Sequence, residues 1–421
     1  VGECRHGRRG VYRMGASLRY ESGWECHDSG VVSAPGSYQQ EGLWFTEQMA
    51  RQGGLLNLCV SLRLRGVLDA EVLGAACQAL VSRHEILRTT FVLVGGVLRQ
   101  QIQSSCPVDF GVVDVGSVEE AREVGLRESG RGFDTGCDRL LRVRLLRIAA
   151  DDHVLVVCMH HLVCDQWSVD VLLGDLGELY ESRVAARAAR LPVLNRQYRH
   201  FCVDQRQRLT GEHLDELVGF WTKTLFGASW SLDIPVEHEQ AGRRSSGGGV
   251  SRRTSVGDVV VSTVPKALVG EVERLAKEAR VTLFTVVLAA VRTLLWQHSG
   301  QADILVGSPM GARDSCEDEA LVGLFVNMLV LRNEIDPGMG FRDLLTSEFF
   351  ACLEALEHRE LPYSKLVESL LFERDAASAA LFPVAVSFGA RADEYPSWRS
   401  VGVEQFPLGG TQSQFDLSVW G

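Results

Sequence analysis

Residues 153–168 of this 421-residue chain read HVLVVCMHHLVCDQWS. After the first histidine comes an unbroken apolar run, which is typical of a central strand buried on both faces. From Val169 onward, apolar residues recur at helical spacing, so the sequence predicts an amphipathic helix with Ser168 as its N-cap. We therefore expect His160 and His161 to lie at the end of a buried strand, in the turn before a helix, where rigid scaffolds often place catalytic groups.

The two histidines should point in opposite directions, because successive strand residues alternate between the two faces of a sheet. One is expected to face a cleft and the other to pack inward. Asp165 follows four residues after His161 and is placed to orient the turn or to pair with a basic residue from elsewhere in the chain. A satisfied core histidine is the commoner role for a histidine in an apolar setting, so that alternative stays open here.

Two other chemistries fit this stretch poorly. A metal site is disfavoured because HHxxxD offers three ligands in diverging directions, with no second cluster to help. A serine-nucleophile triad is disfavoured because no G-x-S-x-G elbow occurs in the sequence.

Composition limits the class of protein. Hydrophobic residues make up 46% and charged residues 23%, which is typical of a globular chain and excludes wholesale disorder. The net charge of −11 gives no basic footprint for nucleic acid or for a membrane surface, so we expect neither as a partner. The longest apolar stretch, residues 281–296, is interrupted by Arg292 and falls short of the roughly 18 residues that a membrane span needs. The eleven cysteines contain no C-x-x-C pair, which indicates free thiols in a reducing cytoplasm.

Helices and strands alternate along the chain, which predicts an α/β fold. Residues 1–34 are interpreted as a poorly ordered leader or linker and residues 35–226 as an N-terminal lobe. Residues 227–257 include a Gly/Ser/Arg-rich stretch and are interpreted as an interlobe linker, followed by a C-terminal lobe at 258–421. Within that lobe, residues 258–264 (DVVVSTV) predict a strand.

Six further segments accompany the histidine stretch in a fixed order: SYQQEGLWFTEQM (37–49), RHEILRTTF (83–91), LPVLNRQYRHFCVDQRQRL (191–209), GSPMGARDSCEDEALVGLFVNMLVLR (307–332), EHRELPYSKLVESL (357–370) and QFDLSVWG (414–421). Together they resemble the motifs of condensation domains of nonribosomal peptide synthetases, and MHHLVCDQWS is similar to the HHxxxDG signature of that family.

The resemblance implies two chloramphenicol-acetyltransferase-like lobes in a V shape, with the active site at the lobe interface. It also implies donor and acceptor peptidyl carrier proteins, belonging to neighbouring synthetase modules, that deliver substrates on phosphopantetheine. The acceptor amine would attack the donor thioester to form an amide, in secondary metabolite biosynthesis. No metal or cofactor would be bound by the domain itself.

The same resemblance assigns candidate site residues. His161 matches the family's second histidine, acting either as a base or as a stabiliser of the tetrahedral intermediate. His160 and Asp165 complete the catalytic turn, with His160 stabilising the turn and Asp165 pairing with Arg313 from the other lobe. The remaining site-supporting residues are expected to shape and cap the turn (Trp167 and Ser168), or to line the cleft floor or pack beneath it (Asn327).

The sequence departs from the family at Gln166, which replaces the glycine of HHxxxDG. A glutamine there would narrow the channel or contribute a hydrogen bond. The chain also ends just after the closing motif, so the C-terminal lobe is expected to be truncated. Two alternatives therefore stay open: a catalytically silent recruitment domain of the same fold, and an acyltransferase that forms an ester or uses a free acceptor.

Overall fold

The computed structural model describes residues 17–19, 25–27, 30–50, 54–234, 256–371, 382–388, 398, 401–409, 411–412 and 415–421. The helices are α1 Tyr38–Ala50, α2 Ala70–Arg83, α3 Val118–Gly130, α4 Gln166–Val184, α5 Tyr198–Arg208, α6 Gly211–Leu225, α7 Lys266–Ala279, α8 Leu283–Ser299, α9 Phe341–Glu357 and α10 Tyr363–Leu371, with 3₁₀ turns at Glu85–Arg88 and His161–Val163. The strands are β1 Ser17–Arg19, β2 Glu25–His27, β3 Val31–Pro35, β4 Asn57–Arg65, β5 Thr89–Val94, β6 Val97–Gln103, β7 Asp109–Asp114, β8 Leu141–Ala149, β9 Asp152–His160, β10 Val256–Gly257, β11 Asp303–Gly311, β12 Val326–Glu334, β13 Val384–Ser387, β14 Gly402–Gln405, β15 Thr411–Gln412 and β16 Leu417–Trp420.

Strand β9 lies in the middle of a five-stranded sheet of order β14-β4-β9-β8-β7. It pairs antiparallel with both β4 and β8, and every residue from His153 to His160 is buried. The predicted buried central strand is therefore confirmed. Helix α4 follows it and packs against α2 through an apolar face.

Three further sheets complete the fold. Their orders are β1-β2-β3-β6-β5, β12-β11-β13-β16 and β10-β15. Apolar side chains form two large cores, one around β9, α2 and α4, and one around β11, β12, α6 and α9. The mixed α/β architecture agrees with the sequence prediction.

The predicted boundaries differ from the packing in two places. Leu217, Trp221 and Leu225 of α6 lie in the second core, although the predicted N-terminal lobe, residues 35–226, includes this helix. The reason is that the apolar stripe of α6 matches the second core, which chain position alone does not reveal. In the opposite direction, β14 crosses from the C-terminal part of the chain and pairs with β4 in the first sheet.

The predicted leader and linker are only partly covered by the described residues. Within the predicted 1–34 leader, Ser17–Arg19 and Glu25–His27 form β1 and β2, and β3, which runs to Pro35, pairs with β6. Residues 1–16, 20–24 and 28–29 lie outside the described residues. Most of the predicted linker, residues 235–255, lies outside them too. The predicted strand at 258–264 is wrong: β10 covers only Val256–Gly257, and the following residues are exposed.

Within the described ranges, no single helix has the length and apolar character to cross a membrane. Helices α7 and α8 meet that criterion only when taken together, and they are bent by 104° at the break between them.

Candidate active site

His161 lies immediately after β9, as the sequence predicted. We call residues 160–165, which join β9 to α4, the reactive turn. The backbone N–H of His161 donates to the carbonyl of Leu56 at 2.8 Å, and this hydrogen bond anchors the start of the turn to the segment before β4. Its Nδ1 lies 2.8 Å from the carbonyl oxygen of Cys164. Because a carbonyl oxygen can only accept, Nδ1 must carry the proton, and the lone pair of the neutral ring lies on Nε2.

The environment of His161 favours the neutral form of the ring. Burial lowers its pKa below the ordinary imidazole value, and this effect outweighs the hydrogen bonds and the Asp165 charge that act in the other direction. The residue is nevertheless partly exposed. No hydrogen bond to Nε2 occurs in the described part of the chain, so this atom is an available proton acceptor.

His160 is completely buried, as predicted for one of the two histidines. Its Nδ1 accepts the backbone N–H of Leu162 at 3.1 Å, and its Nε2 lies 2.9 Å from Oε1 of Glu47. The ring also packs edge-on against Phe133, with 6.1 Å between ring centroids. Both ring nitrogens are thus engaged within the protein, so this geometry gives His160 a structural place.

The predicted pair between Asp165 and Arg313 is present. The guanidinium donates to both carboxylate oxygens, at 3.0 and 3.1 Å, and both side chains are almost completely buried. Asp165 also accepts the backbone N–H groups of Ser168 and Phe325, each at 2.9 Å. With this many donors around it, the carboxylate holds the turn and has no free lone pair facing a substrate.

Helix α4 begins one turn earlier than predicted. Its N-cap is Asp165, whose side chain accepts the N–H of Ser168, so the expectation that Ser168 caps the helix is wrong. Ser168 instead contacts the segment after β11, since its Oγ accepts the N–H of Gly323 at 3.0 Å. Trp167 donates from Nε1 to the carbonyl of Glu319 at 2.9 Å. Both residues therefore pin the segment after β11 against the start of α4.

A family model described as "Condensation domain" matches residues 33–421. The chain belongs to the condensation-domain family. It is 32% identical to a linear gramicidin synthase of Brevibacillus parabrevis over 393 residues, which cover 91% of this chain and 5% of that protein. It is 34% identical to the isonitrile lipopeptide synthase of Mycobacterium tuberculosis over 391 residues, which cover 91% of this chain and 15% of that protein. The chain thus spans a small part of the length of these relatives.

Three solved structures share the fold of this chain. The X-domain from teicoplanin biosynthesis matches with a TM-score of 0.80 at 24% identity, covering 91% of this chain and 84% of that one. The same X-domain in complex with OxyB matches with a TM-score of 0.79 at 24% identity, over 98% of this chain and 86% of that one. The condensation domain from Monacolin K polyketide synthase MokA gives 0.79 at 22% identity, over 92% and 89%. At these identities the likeness shows the fold, in agreement with the sequence prediction.

In this condensation domain Gln166 is the first residue of α4 and is exposed. Its backbone is not among the positive-φ positions of the described residues, where the non-glycine cases are Ala186 and Arg280. The position therefore does not need the conformational freedom of glycine. Any effect of the replacement must come from the volume and polarity of the side chain.

Asn327 does not present a free amide to a cleft. Its Nδ2 donates to the carbonyls of Arg359 and Leu361, at 3.0 and 2.8 Å, and its Oδ1 accepts the N–H of Tyr363 at 2.9 Å. The side chain is buried. Of the two predicted roles, the structure places it in the packing role, joining β12 to the start of α10.

Contacts that the sequence did not predict connect distant motifs of the condensation domain. Tyr198 of α5 donates its hydroxyl to the carbonyl of Leu324 at 2.6 Å, and its ring fills the space where a Cβ on Gly323 would lie, at 2.1 Å. Gln40 of α1 donates from Nε2 to the carbonyl of Leu162 at 2.8 Å. Glu47, on the same helix, reaches His160. These residues belong to the segments 37–49 and 191–209, and the spacing of the two segments in the sequence does not show that they meet around the reactive turn.

Next to the Asp165 pair, Arg313 also lines a cleft of about 500 Å³. Its other lining residues are Arg208, Asp314, Leu356, Glu357, Arg359 and Glu360. Three guanidinium groups face three carboxylates there, so the cleft is polar without a net charge of one sign. Within the described ranges, no group of three or more His, Cys, Asp or Glu side chains is arranged to hold a metal ion.

Proposed function

We propose that this condensation domain catalyses amide bond formation between a carrier-bound acyl or peptidyl thioester and a carrier-bound aminoacyl acceptor. Peptide-bond formation is the general activity of the family. The observation that carries the proposal for this chain is the state of His161. Burial favours its neutral form, and its Nδ1–H is committed to the Cys164 carbonyl, which leaves Nε2 of this partly exposed residue as the proton acceptor.

This tautomer favours the base over the direct stabiliser. A neutral ring with its proton on Nδ1 has no N–H at Nε2, so it cannot donate a hydrogen bond to an oxyanion from that atom. The acceptor nitrogen would attack the thioester carbon, and Nε2 of His161 would take the proton that the nitrogen loses. The resulting imidazolium then has a proton to give to the departing thiolate as the C–S bond breaks. General base catalysis of this kind contributes typically about 10²–10⁴-fold.

Placement supplies the remaining rate enhancement in this proposal. Holding the amine and the thioester side by side removes an entropic barrier that reaches about 7–11 kcal/mol in well-oriented reactions. The Asp165–Arg313 pair supports this role by fixing the turn against the segment after β11. Donor and acceptor peptidyl carrier proteins of neighbouring modules would present their phosphopantetheine arms in the cytoplasm. The domain would bind no metal or cofactor of its own, and no nucleic acid or membrane.

A second candidate is a catalytically silent domain that recruits another protein. Two observations favour it: Gln166 stands where the family has glycine, and an X-domain of the same fold has been solved in complex with OxyB. In this case the turn would be retained for its structural role alone.

A single-turnover assay separates the candidates. Two carrier proteins loaded through phosphopantetheine are mixed with the domain, and intact-protein mass spectrometry follows transfer from donor to acceptor. We expect transfer with the wild type, loss of transfer with His161→Ala, and wild-type transfer with the control His298→Ala, an exposed histidine of α8. Full turnover by His161→Ala would refute the base assignment. Carrier binding without transfer from any donor would favour recruitment, and the product mass would reveal an ester or free-acceptor product.

A further inference from the structure

Two side chains of α1 fasten the reactive turn from outside the sheet. Gln40 Nε2 donates to the carbonyl of Leu162 at 2.8 Å, in the middle of the 3₁₀ turn. Two helical turns further on, Oε1 of Glu47 lies 2.9 Å from Nε2 of His160. The helix thus contacts the turn at its centre and at the residue that precedes it.

The proton positions in the second contact follow from the geometry. Nδ1 of His160 accepts the N–H of Leu162, so it carries no proton, and the proton of the neutral ring lies on Nε2. Nε2 therefore donates to Glu47. An ionised carboxylate can only accept, so it selects this single arrangement of the ring.

Both partners are withdrawn from water. The side chain of His160 is 1% exposed and that of Glu47 is 14% exposed. The second oxygen of Glu47, Oε2, is buried and has no hydrogen-bond partner among the described residues. Burying a carboxylate costs folding free energy because it loses its hydration, and a hydrogen bond to His160 offsets part of that cost.

We propose that Glu47 is a positioning residue for His161, acting through His160; this rests on the proposed function above. The carboxylate fixes the His160 ring, the ring holds the N–H of Leu162, and this closes the 3₁₀ turn on which His161 sits. The turn in turn sets the contact between His161 Nδ1 and the Cys164 carbonyl that frees Nε2. Without the acceptor at Glu47, the His160 ring would be less fixed, its hydrogen bond to Leu162 would weaken, and the contact between His161 and Cys164 would weaken in turn.

The test uses [¹⁵N]histidine-labelled protein and the ring-nitrogen NMR signals of His161, identified by their absence in His161→Ala. Glu47→Leu keeps the side-chain volume and removes the acceptor. We expect it to shift the His161 ring from the Nδ1–H form toward a mixture of tautomers, and to lower the single-turnover rate at saturating carrier by about 10- to 100-fold. Glu47→Gln retains an acceptor oxygen, so we expect the wild-type His161 tautomer and the wild-type single-turnover rate. Asp175→Asn is the matched control, because it perturbs another buried carboxylate–histidine pair, with His84, and should change stability while leaving the His161 signal as in the wild type.

The outcomes are distinct for the two proposals. An unchanged His161 tautomer in folded Glu47→Leu, or a rate within about twofold of the wild type, would overturn the positioning role. If Glu47→Leu does not fold, Glu47→Asp decides, since it withdraws the carboxylate by one methylene group while keeping its charge. If the wild type transfers nothing, the proposed function fails, and the His161 tautomer alone then supports or overturns the role of Glu47.

Discussion

Replacing Arg313 with methionine tests whether the buried ion pair holds the reactive turn. The substitution removes two hydrogen bonds to Asp165 and those to the Ser168 hydroxyl and the Leu321 carbonyl. The Asp165 carboxylate, 5% exposed, is then left without a cation. Breaking a buried pair in this way costs about 3–5 kcal/mol. Because Asp165 keeps its donors from Ser168 and Phe325, we expect a loss of about 3 kcal/mol, at the lower end of that range.

The assay is urea unfolding followed by circular dichroism, with the free energy of unfolding extrapolated to zero denaturant. The matched control is Arg342→Met, which breaks a pair with Glu278 in which both side chains are more than half exposed, and it should cost less than about 1 kcal/mol. The loss in Arg313→Met should persist at high salt, because a buried pair is little screened.

A double variant sharpens the argument. Asp165→Leu combined with Arg313→Met removes both charges, so it should cost less than the two single losses added together. Additive losses would show that the two charges do not depend on each other. A loss in Arg313→Met no larger than in Arg342→Met would refute the reasoning altogether.

Three further predictions concern the turn and its support. Because the pKa of His161 is lowered, the acid limb of the single-turnover pH–rate profile should lie below pH 6.5, the ordinary imidazole value, and a limb above it would contradict the neutral-base assignment. Gln166→Gly restores the residue that the family motif has at this position, and we expect it to raise the single-turnover rate while its cost in urea unfolding stays within about 1 kcal/mol; an unchanged or lower rate would show that the glutamine does not restrict the site. Asn327→Leu leaves two carbonyls and one N–H unpaired and should cost about 2–4 kcal/mol in the same unfolding assay, whereas a loss under about 1 kcal/mol would mean that water replaces the amide.

The features that the sequence predicted correctly are local ones. The apolar run of β9, the helix after it and the place of His160 and His161 at the end of that strand follow from periodicities of two and 3.6 residues over a short stretch. The pairing of Asp165 with Arg313 was implied by the resemblance of both segments to the family's motifs. Each of these features depends on residues close together in the chain, or on a motif whose geometry is known for the family.

The features that it missed depend on which surfaces meet. Glu47 and His160 are 113 residues apart, and nothing in either motif shows that α1 lies over the turn. Residues 258–264 have strand-forming composition, but a strand also needs a neighbour, and the pairing ends at Gly257. For α6 the amphipathic pattern reveals an apolar face without revealing which core receives it.

The four residues of β14 bear on how such domains are recombined. A chimera joined at the linker between residues 227 and 257 would take Gly402–Gln405 from one parent and its partner β4 from the other. The edge of the first sheet would then be completed by a foreign strand, and a mismatch would leave a row of N–H and C=O groups open to pairing with another molecule. Exchanging only the chain after the linker therefore also replaces one strand of the first sheet. Compatible parents are those with the same residues at 62–65, the partners of β14.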